Sequence, residues 1–178
     1  MLRISNPTDG SLIREISDDS AAAIAAKYGA ARAAQPAWTA LPIAERVAVL
    51  RQFKARVAAR RDELARTLSS EMGKPLRQSF NEIDALAARL DFFLDHAAGV
   101  LAPETVLEAP ADKLIERITH EPLGVIANIS AWNYPYFVGC NTFVPALVAG
   151  NAVLYKPSEY ATLTGPHIAE MLHEAGVP

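Results

Sequence analysis

The amino-acid sequence predicts an α/β fold, in which an incomplete, doubly wound parallel sheet follows an N-terminal helical region. Two observations lead to this prediction. Up to about Pro103 the chain is rich in Ala, Arg and Glu, and its apolar residues recur at helical spacing. Beyond Pro103, apolar and β-branched runs alternate with helical segments, separated by Gly and Pro. Strands that alternate with helices are typical of parallel sheets covered by helices.

The composition is that of a soluble globular protein: 178 residues, of which 51% are hydrophobic and 21% charged. The net charge is −3 with acids and bases interleaved, so neither nucleic acid nor an anionic membrane is an expected partner. The single cysteine, Cys140, excludes an intrachain disulfide. No stretch approaches the ~20 apolar residues of a membrane span, and Asn6 and Pro7 interrupt any secretory signal. We therefore expect a cytoplasmic protein.

The N-terminal region predicts a turn followed by three helices. Residues 4–16 form two extended pieces around an Asp-Gly turn. Ser20 is a good N-cap for an alanine-rich helix, which we expect to end before Pro36 because proline breaks helices. A second helix is expected from Ile43 until Gly73, and a third carries an apolar stripe over 76–97. These stripes could bind a partner, but we expect them to pack within the chain, which has its own sheet to cover.

The C-terminal region predicts two parallel strands, each followed by a helix. Residues 114–120 alternate as a strand with charges on both faces, so this strand is not expected at the centre of a sheet. Residues 124–129 are nearly all apolar, which predicts a parallel strand buried on both faces. A helix entered at a proline over 135–149, a strand over 152–155 and a helix over 165–175 complete the pattern. Two parallel strands are too few for an independent sheet, so the architecture is expected to be unfinished.

Polar residues follow both predicted strands at their carboxyl ends, where open α/β sheets bind ligands. Asn133 offers an amide donor near a helix N-terminus, where a developing anion is favoured. Lys156 and Glu159 place a cation beside an acceptor, which suits sugar hydroxyls. Structural roles explain the same residues equally well, with Asn133 capping the helix and Lys156 pairing with Glu159 on the surface.

Three stretches near these strands have a recognisable form, order and spacing. They read Glu-Pro-Leu-Gly-Val-Ile at 121–126, Ala-Trp-Asn-Tyr-Pro at 131–135 and Ala-Gly-Asn-Ala-Val-Leu-Tyr-Lys-Pro-Ser-Glu at 149–159. Through them the chain resembles the aldehyde dehydrogenase superfamily, and Glu-Met-Gly-Lys-Pro at 71–75 agrees. The resemblance covers essentially the whole chain. It implies a Rossmann-like sheet and NAD(P)-dependent oxidation of an aldehyde to a carboxylic acid.

The resemblance also assigns roles to individual residues. Asn133 matches the asparagine that donates its side-chain amide to the reaction's oxyanion. Lys156 and Glu159 match the groups that bind the ribose of adenosine, with Ser158 at the same end of the cofactor. The other implied residues are Ile129, Ser130, Ala131 and Trp132 along the cofactor, and Tyr134, Val138 and Asn141 along the aldehyde tunnel.

Glu159 predicts NAD as the cofactor, with NADP as the other candidate. A carboxylate accepts a hydrogen bond from the ribose 2′-hydroxyl and repels a 2′-phosphate. Asn141 is polar where relatives that take aromatic aldehydes often have a large ring, which indicates a smaller or more polar substrate. No Gly-x-Gly-x-x-Gly motif occurs, as the resemblance implies. Ala131 stands where many members have proline, which should matter little for a residue that contributes mainly backbone.

Neither a metal site nor a local nucleophile is expected. His167 and His173 are about 240° apart around a helix, so they cannot face one ion. Cys140 lies in an apolar helix without a neighbouring cation, which predicts an inert thiol. The resemblance places the family's nucleophilic cysteine and general-base glutamate beyond residue 178, so the isolated chain is expected to be inactive.

The resemblance divides the chain into three parts. Residues 1–103 form the helical part of the cofactor-binding domain, and 123–178 form the first β-α-β-α unit of the Rossmann-like domain. Residues 104–122 resemble the family's protruding β-ribbon, which builds a subunit interface, so we expect a homo-oligomer. A nucleotide-binding module without chemistry, and an inactive remnant that binds nothing, are the alternatives to the dehydrogenase.

Overall fold

The computed structural model describes residues 1–178, which form six α-helices, six strands and one 3₁₀ turn. The strands make three separate two-stranded sheets, of which one is parallel. In chain order the elements are β1 (Leu2–Ser5), β2 (Leu12–Ile16), α1 (Ala21–Ala40), α2 (Ile43–Ala59), α3 (Arg61–Met72), α4 (Leu76–Val100), β3 (Glu104–Ala109), a 3₁₀ turn (Pro110–Asp112), β4 (Leu114–Ile118), β5 (Val125–Ile129), α5 (Pro135–Val148), β6 (Ala152–Lys156) and α6 (Thr164–Ala175).

The predicted α/β pattern is confirmed in the C-terminal region. Strands β5 and β6 pair in parallel, with Val125 opposite Ala152 and Ile129 opposite Lys156. Helix α5 connects them, and Pro135 occupies its first turn, where a missing N–H costs nothing. Because the two strands run parallel, the carboxyl ends of β5 and β6 lie at the same edge of the sheet.

Helix α1 shows that the predicted helix end before Pro36 was wrong. The helix begins after the expected N-cap, Ser20, but continues through Pro36 to Ala40. Its last turn is held from outside, because Gln35 donates to the carbonyl of Gly150 and Trp38 donates to the carbonyl of Leu147, at 3.0 and 2.8 Å. Buried hydrogen bonds to α5 and the turn after it therefore outweigh the cost of a proline inside a helix, about 3 kcal/mol.

The single helix expected from Ile43 until Gly73 is two helices, α2 and α3. They meet at Arg60, whose backbone leaves the helical range with φ −99° and ψ 15°. The Arg60 guanidinium donates to Glu63 in the first turn of α3 and to Glu170 of α6. The junction contains neither Gly nor Pro, so the local sequence gives no signal for the break. The contact of Arg60 at this point is with Glu170, which lies 110 positions later in the chain.

Strand β5 is not buried on both faces, contrary to the sequence prediction. Asn128 faces α5 and donates to the carbonyl of Gly139 at 2.8 Å. The residues that alternate with it are open to solvent, and Ile129 is 76% exposed. Helix α5 covers one face of the strand pair, whereas α1 leaves Ala127 and Ile129 uncovered on the other.

One core joins the helical region to the β-α-β-α unit. It contains 19 buried residues drawn from all six helices. Helix α5 is central to it, since Phe143 packs edge-on against Phe53 of α2 and against Tyr155 of β6. This packing fixes α5 relative to α2 and β6. None of the helices is both long and apolar enough to cross a bilayer.

Strands β3 and β4 form an antiparallel hairpin that packs mainly on itself. Every residue of β4 is exposed, and the strand ends at Ile118, two positions before the expected end. Several of the hairpin's large apolar side chains face solvent, among them Val106, Ile115 and Ile118.

Candidate functional site

Two loops leave the same edge of the parallel sheet. We call residues 130–134, which follow β5, the Asn133 loop, and residues 157–163, which follow β6, the Glu159 loop. The amide of Ser130 donates to the carbonyl of Lys156 at 3.0 Å, which extends the sheet pairing to the root of both loops. Further out, the rings of Trp132 and Tyr160 meet edge to face with centroids 6.0 Å apart. The loops that carry Asn133 and Glu159 are therefore neighbours.

Asn133 is exposed and its side-chain amide makes no hydrogen bond within the chain. The capping role considered from the sequence does not apply, because the N-cap position of α5 is Tyr134 and no side chain there caps the helix. The backbone carbonyl of Asn133 instead accepts a hydrogen bond from Lys74 at 2.7 Å. The backbone is thus held while the amide faces outward as an available donor.

Lys156 and Glu159 form an ion pair at 3.2 Å, and more than half of each side chain is exposed. The pKa of the Glu159 carboxyl lies below its usual range because its own backbone N–H and the Lys156 ammonium both stabilise the charged form. At neutral pH the pair therefore presents a carboxylate acceptor and an ammonium donor to solvent. Surface pairing, one of the two readings of the sequence, is what the structure shows.

The residues expected along the cofactor divide by burial. Ile129 and Trp132 are largely open, with Trp132 52% exposed, and Ala131 is half-buried between them. Ser130 and Ser158 are buried. The Ser158 hydroxyl accepts from the backbone N–H of Tyr160 at 3.2 Å, so this side chain orders the Glu159 loop.

Two of the three residues expected along the aldehyde tunnel line a cavity between α4 and the start of α5. Tyr134 and Val138 lie on its α5 side, whereas Asn141 is exposed further along the helix and does not reach it. The cavity has a volume of about 370 Å³. Its remaining lining residues are Phe137 of α5 and Gln78, Asn81, Glu82 and Ala85 of α4.

The sequence profile of the aldehyde dehydrogenase family matches residues 1–178, the whole chain. The chain belongs to the aldehyde dehydrogenase family. It is 35% identical to an N-succinylglutamate 5-semialdehyde dehydrogenase from Chromobacterium violaceum, over 97% of this chain and 35% of that protein. It is 36% identical to a 3,6-anhydro-alpha-L-galactose dehydrogenase from Streptomyces coelicolor, over 99% of this chain and 35% of that protein. The chain thus spans about a third of the length of these relatives.

Solved structures of family members have the same fold over this region. An aldehyde dehydrogenase from Brucella melitensis biovar abortus matches with a TM-score of 0.93 and 29% identity, over 99% of this chain and 36% of that one. An NADP-dependent glyceraldehyde-3-phosphate dehydrogenase from Bacillus halodurans, complexed with NADP, matches with a TM-score of 0.90 and 30% identity, over 99% of this chain and 38% of that one. An NAD-dependent benzaldehyde dehydrogenase from Corynebacterium glutamicum gives the same values.

In this family member the one cysteine is an unreactive thiol. Cys140 is completely buried in α5, and burial raises its pKa to about 12. His167 is also engaged, since its Nδ1 lies 3.0 Å from the Tyr136 hydroxyl. Across residues 1–178, no group of three or more His, Cys, Asp or Glu side chains is arranged to hold a metal ion.

Sequence reasoning missed three residues beneath the site, of which Lys74 contacts the Asn133 loop, Glu71 contacts the Glu159 loop and Glu82 contacts the start of α5. Lys74 donates to Glu82 at 2.6 Å as well as to Asn133, and Glu71 accepts from the backbone N–H of Leu163. Glu82 also accepts from the first turn of α5. A charged residue inside an apolar helical stripe is the signal that could have revealed Glu82, since it directly precedes Ile83 of the buried face. Glu71 and Lys74 have no sequence signal beyond their place in the Glu-Met-Gly-Lys-Pro stretch.

Proposed function

We propose that this chain is the N-terminal part of an NAD(P)-dependent aldehyde dehydrogenase that oxidises an aldehyde to a carboxylic acid. In this proposal it carries the adenosine-side cofactor site and the oxyanion asparagine. The observation that carries it is the meeting of the two loops at one sheet edge, with the Asn133 amide and the Lys156–Glu159 pair both open to solvent. Membership of the family and the placement of its motif residues support the same assignment.

The residues at this edge fit the adenosine half of a dinucleotide. Ile129 and Trp132 offer exposed apolar surface for the adenosine and its linkage, next to a charged pair with both a donor and an acceptor. Lys156 would donate to a ribose hydroxyl and Glu159 would accept from one. Ser158 supports the geometry of the Glu159 loop from below. When bound, the nicotinamide of such a cofactor accepts a hydride from the substrate.

Asn133 would stabilise the charge that develops on the substrate's carbonyl oxygen. Its amide is an exposed, unpaired donor on a backbone that is held by Lys74. Removal of one donor of this kind typically costs about 2.7–4 kcal/mol of transition-state stabilisation. The nucleophile that attacks the carbonyl must come from outside these residues, because the only cysteine is buried and its pKa is about 12.

We propose NAD as the preferred cofactor. Glu159 is ionised at neutral pH, and a carboxylate near the 2′ position of the ribose favours a hydroxyl over a phosphate. Solved relatives include both an NAD-dependent and an NADP-dependent enzyme, so this choice depends on the side chain and not on the family.

For the substrate we propose a small or polar aldehyde. The cavity beside Tyr134 and Val138 is lined on its other side by the amides of Gln78 and Asn81. Most of the lining is apolar, and a few polar groups in a cavity of about 370 Å³ favour a compact substrate with a small number of hydrogen-bonding groups. Asn141 lies outside this cavity and does not contribute to its lining. The proposal of a polar substrate therefore depends on the amides of Gln78 and Asn81 in α4.

We further propose that the complete protein is a cytoplasmic homo-oligomer. The β3–β4 hairpin exposes apolar side chains on both of its strands, and such surface is typical of an interface.

A non-catalytic nucleotide-binding module is the second candidate, favoured by the absence of a reactive thiol from residues 1–178.

Cofactor binding to the purified chain tests the proposal. Iodide quenches exposed tryptophan, so it should reach Trp132 but not the buried Trp38. NAD should protect the iodide-sensitive fluorescence in a saturable manner. Glu159→Gln should reduce the preference for NAD over NADP, whereas Lys113→Met in the hairpin turn should have no effect. A folded chain that gives no saturable protection, or an unchanged preference in Glu159→Gln, would contradict the proposal.

A further inference from the structure

The turn between α3 and α4 lies directly beneath both loops of the candidate site. Helix α3 ends at Gly73, whose φ of 68° is a left-handed conformation that residues with a β-carbon rarely adopt. The turn places Glu71 at the end of α3 and Lys74 just before the start of α4. These two side chains contact different loops, although only two residues separate them.

Lys74 binds the Asn133 loop. Its ammonium donates to the backbone carbonyl of Asn133 at 2.7 Å and lies 4.1 Å from the centre of the Tyr134 ring. It also pairs with Glu82 at 2.6 Å, and little of either side chain is exposed. A buried ammonium with two acceptors and an aromatic face has one favourable position. The Asn133–Tyr134 peptide is therefore fixed by a charge-assisted hydrogen bond.

Glu82 fixes the residues that follow Asn133. One carboxylate oxygen accepts from Lys74, and the other accepts from the backbone N–H groups of Tyr136 and Phe137 at 3.0 and 3.3 Å. These donors belong to the first turn of α5, which has no N-cap side chain of its own. A carboxylate at this position also interacts favourably with the helix dipole. Glu82 thus caps α5 from a neighbouring helix.

Glu71 binds the end of the Glu159 loop. Both of its carboxylate oxygens accept from the backbone N–H of Leu163, at 2.9 and 3.1 Å. Leu163 is the last residue of that loop and the N-cap residue of α6. Glu71 is 6% exposed and has no cation partner. Its contact with the chain 92 residues later fixes where the loop rejoins the fold.

We propose that Glu71, Lys74 and Glu82 are positioning residues that hold the Asn133 loop and the Glu159 loop in a fixed relation to each other. The inference rests on the proposed function, because it concerns how the same two loops are oriented. Catalytic and binding groups must be held within about 0.5 Å of their productive geometry. The exposed heads of Asn133 and Glu159 have no buried contacts of their own, so this accuracy must come from the backbone. All three residues act through that backbone.

Amide exchange in the cofactor-free chain, detected by NMR, tests the Glu71 arm. In Glu71→Ala the amide of Leu163 should exchange about tenfold faster, because its hydrogen bonds to a buried carboxyl group are lost. The amide of Tyr136, held by Glu82, should change less than twofold. Glu71→Gln keeps an acceptor oxygen and should restore slow exchange of Leu163. Equal acceleration at both amides, or no rescue by Gln, would indicate general destabilisation and overturn the proposal.

The Lys74 arm has a spectroscopic signature. In Lys74→Met the carbonyl ¹³C resonance of Asn133 should move to lower frequency as its hydrogen bond is lost, and Lys74→Arg should restore most of the change. Lys54→Met is the matched control, because it also removes a lysine–carboxylate pair with a residue of α4, at a distance from the Asn133 loop. If Lys54→Met moves the Asn133 resonance as far as Lys74→Met, the assignment of Lys74 as a positioning residue is wrong.

NAD binding separates failure of this inference from failure of the proposed function. If the unmodified chain does not bind NAD, the proposed function fails whatever the exchange rates are. If it binds, Glu71→Ala should weaken binding about tenfold and Glu71→Gln less than threefold, in step with the exchange of Leu163. If Glu71→Ala binds NAD as tightly as the unmodified chain does, the positioning role of Glu71 is refuted and the proposed function is unaffected.

Discussion

Replacement of Glu71 by Gln should remove a large part of the pH dependence of this chain's stability. Burial raises the pKa of the Glu71 carboxyl from 4.5 to about 7, against the opposing hydrogen bonds from the backbone at Leu163 and Thr162. No cation compensates the charge. The unfolded chain therefore loses this proton near pH 4.5, whereas the folded chain retains it to about pH 7.

The sign follows from which state binds more protons. Between those two pH values the folded state holds one proton more than the unfolded state, so stability falls as pH rises. A gap of about 2.5 pH units at ~1.4 kcal/mol each gives a loss of about 3 kcal/mol, complete above pH 7. Glutamine cannot ionise and keeps one acceptor oxygen. Glu71→Gln should thus match the parent below about pH 4.5, and its advantage should grow by about 2.5 kcal/mol between pH 5 and pH 8, to about 3 kcal/mol in total.

Urea unfolding of both proteins at pH 5, 6, 7 and 8 measures this difference. All other titrating groups, including the buried Glu82 and the half-buried His167, are present in both proteins and cancel in the comparison. A stability difference that stays constant across this pH range would refute the reasoning, because the ionisation of Glu71 would then not oppose folding.

Three further predictions follow from the packing. Gly73→Ala should destabilise the chain by about 1–2 kcal/mol, because the residue has a positive φ. Gly29→Ala, in the open middle of α1, should stabilise the chain by about 0.5–1 kcal/mol. In thermal unfolding the midpoint should therefore fall for Gly73→Ala and rise for Gly29→Ala, and a change in the same direction for both would contradict this prediction. Lys74→Ala should cost about 3–5 kcal/mol in urea unfolding because it leaves a buried carboxylate unpaired, and an equal cost for Lys54→Ala would contradict this. Cys140 should react with a thiol reagent only in urea, so rapid modification of the folded chain would show that its burial is wrong.

The α/β class and the shared sheet edge of the two candidate loops could be predicted because their signals are local. An apolar run such as 124–129, followed by Pro135 and a helical pattern, marks strand and crossover within one stretch of chain. The ends of β5 and β6 then had to share an edge, and so did Asn133 and Glu159.

Features set by distant contacts could not be predicted in this way. Pro36 lies in the part of α1 where Trp38 donates to a carbonyl 109 residues later, and Arg60, at the break between α2 and α3, donates to Glu170, which lies 110 residues later. One face of β5 is open because no helix covers Ala127 and Ile129, and the apolar run 124–129 does not indicate which elements will cover the strand. The contact of Glu71 with the Glu159 loop could not be predicted either, because its donor, the backbone N–H of Leu163, lies 92 residues later in the chain.

The most direct test of the account is an NMR titration of the ¹⁵N-labelled chain, at 19.2 kDa, with NAD. The account predicts saturable shifts that are largest for the amides of residues 130–134 and 157–163, with the β3–β4 hairpin unaffected. Shifts confined to only one of these loops, or centred elsewhere in the chain, would contradict the claim that the two loops form one cofactor site.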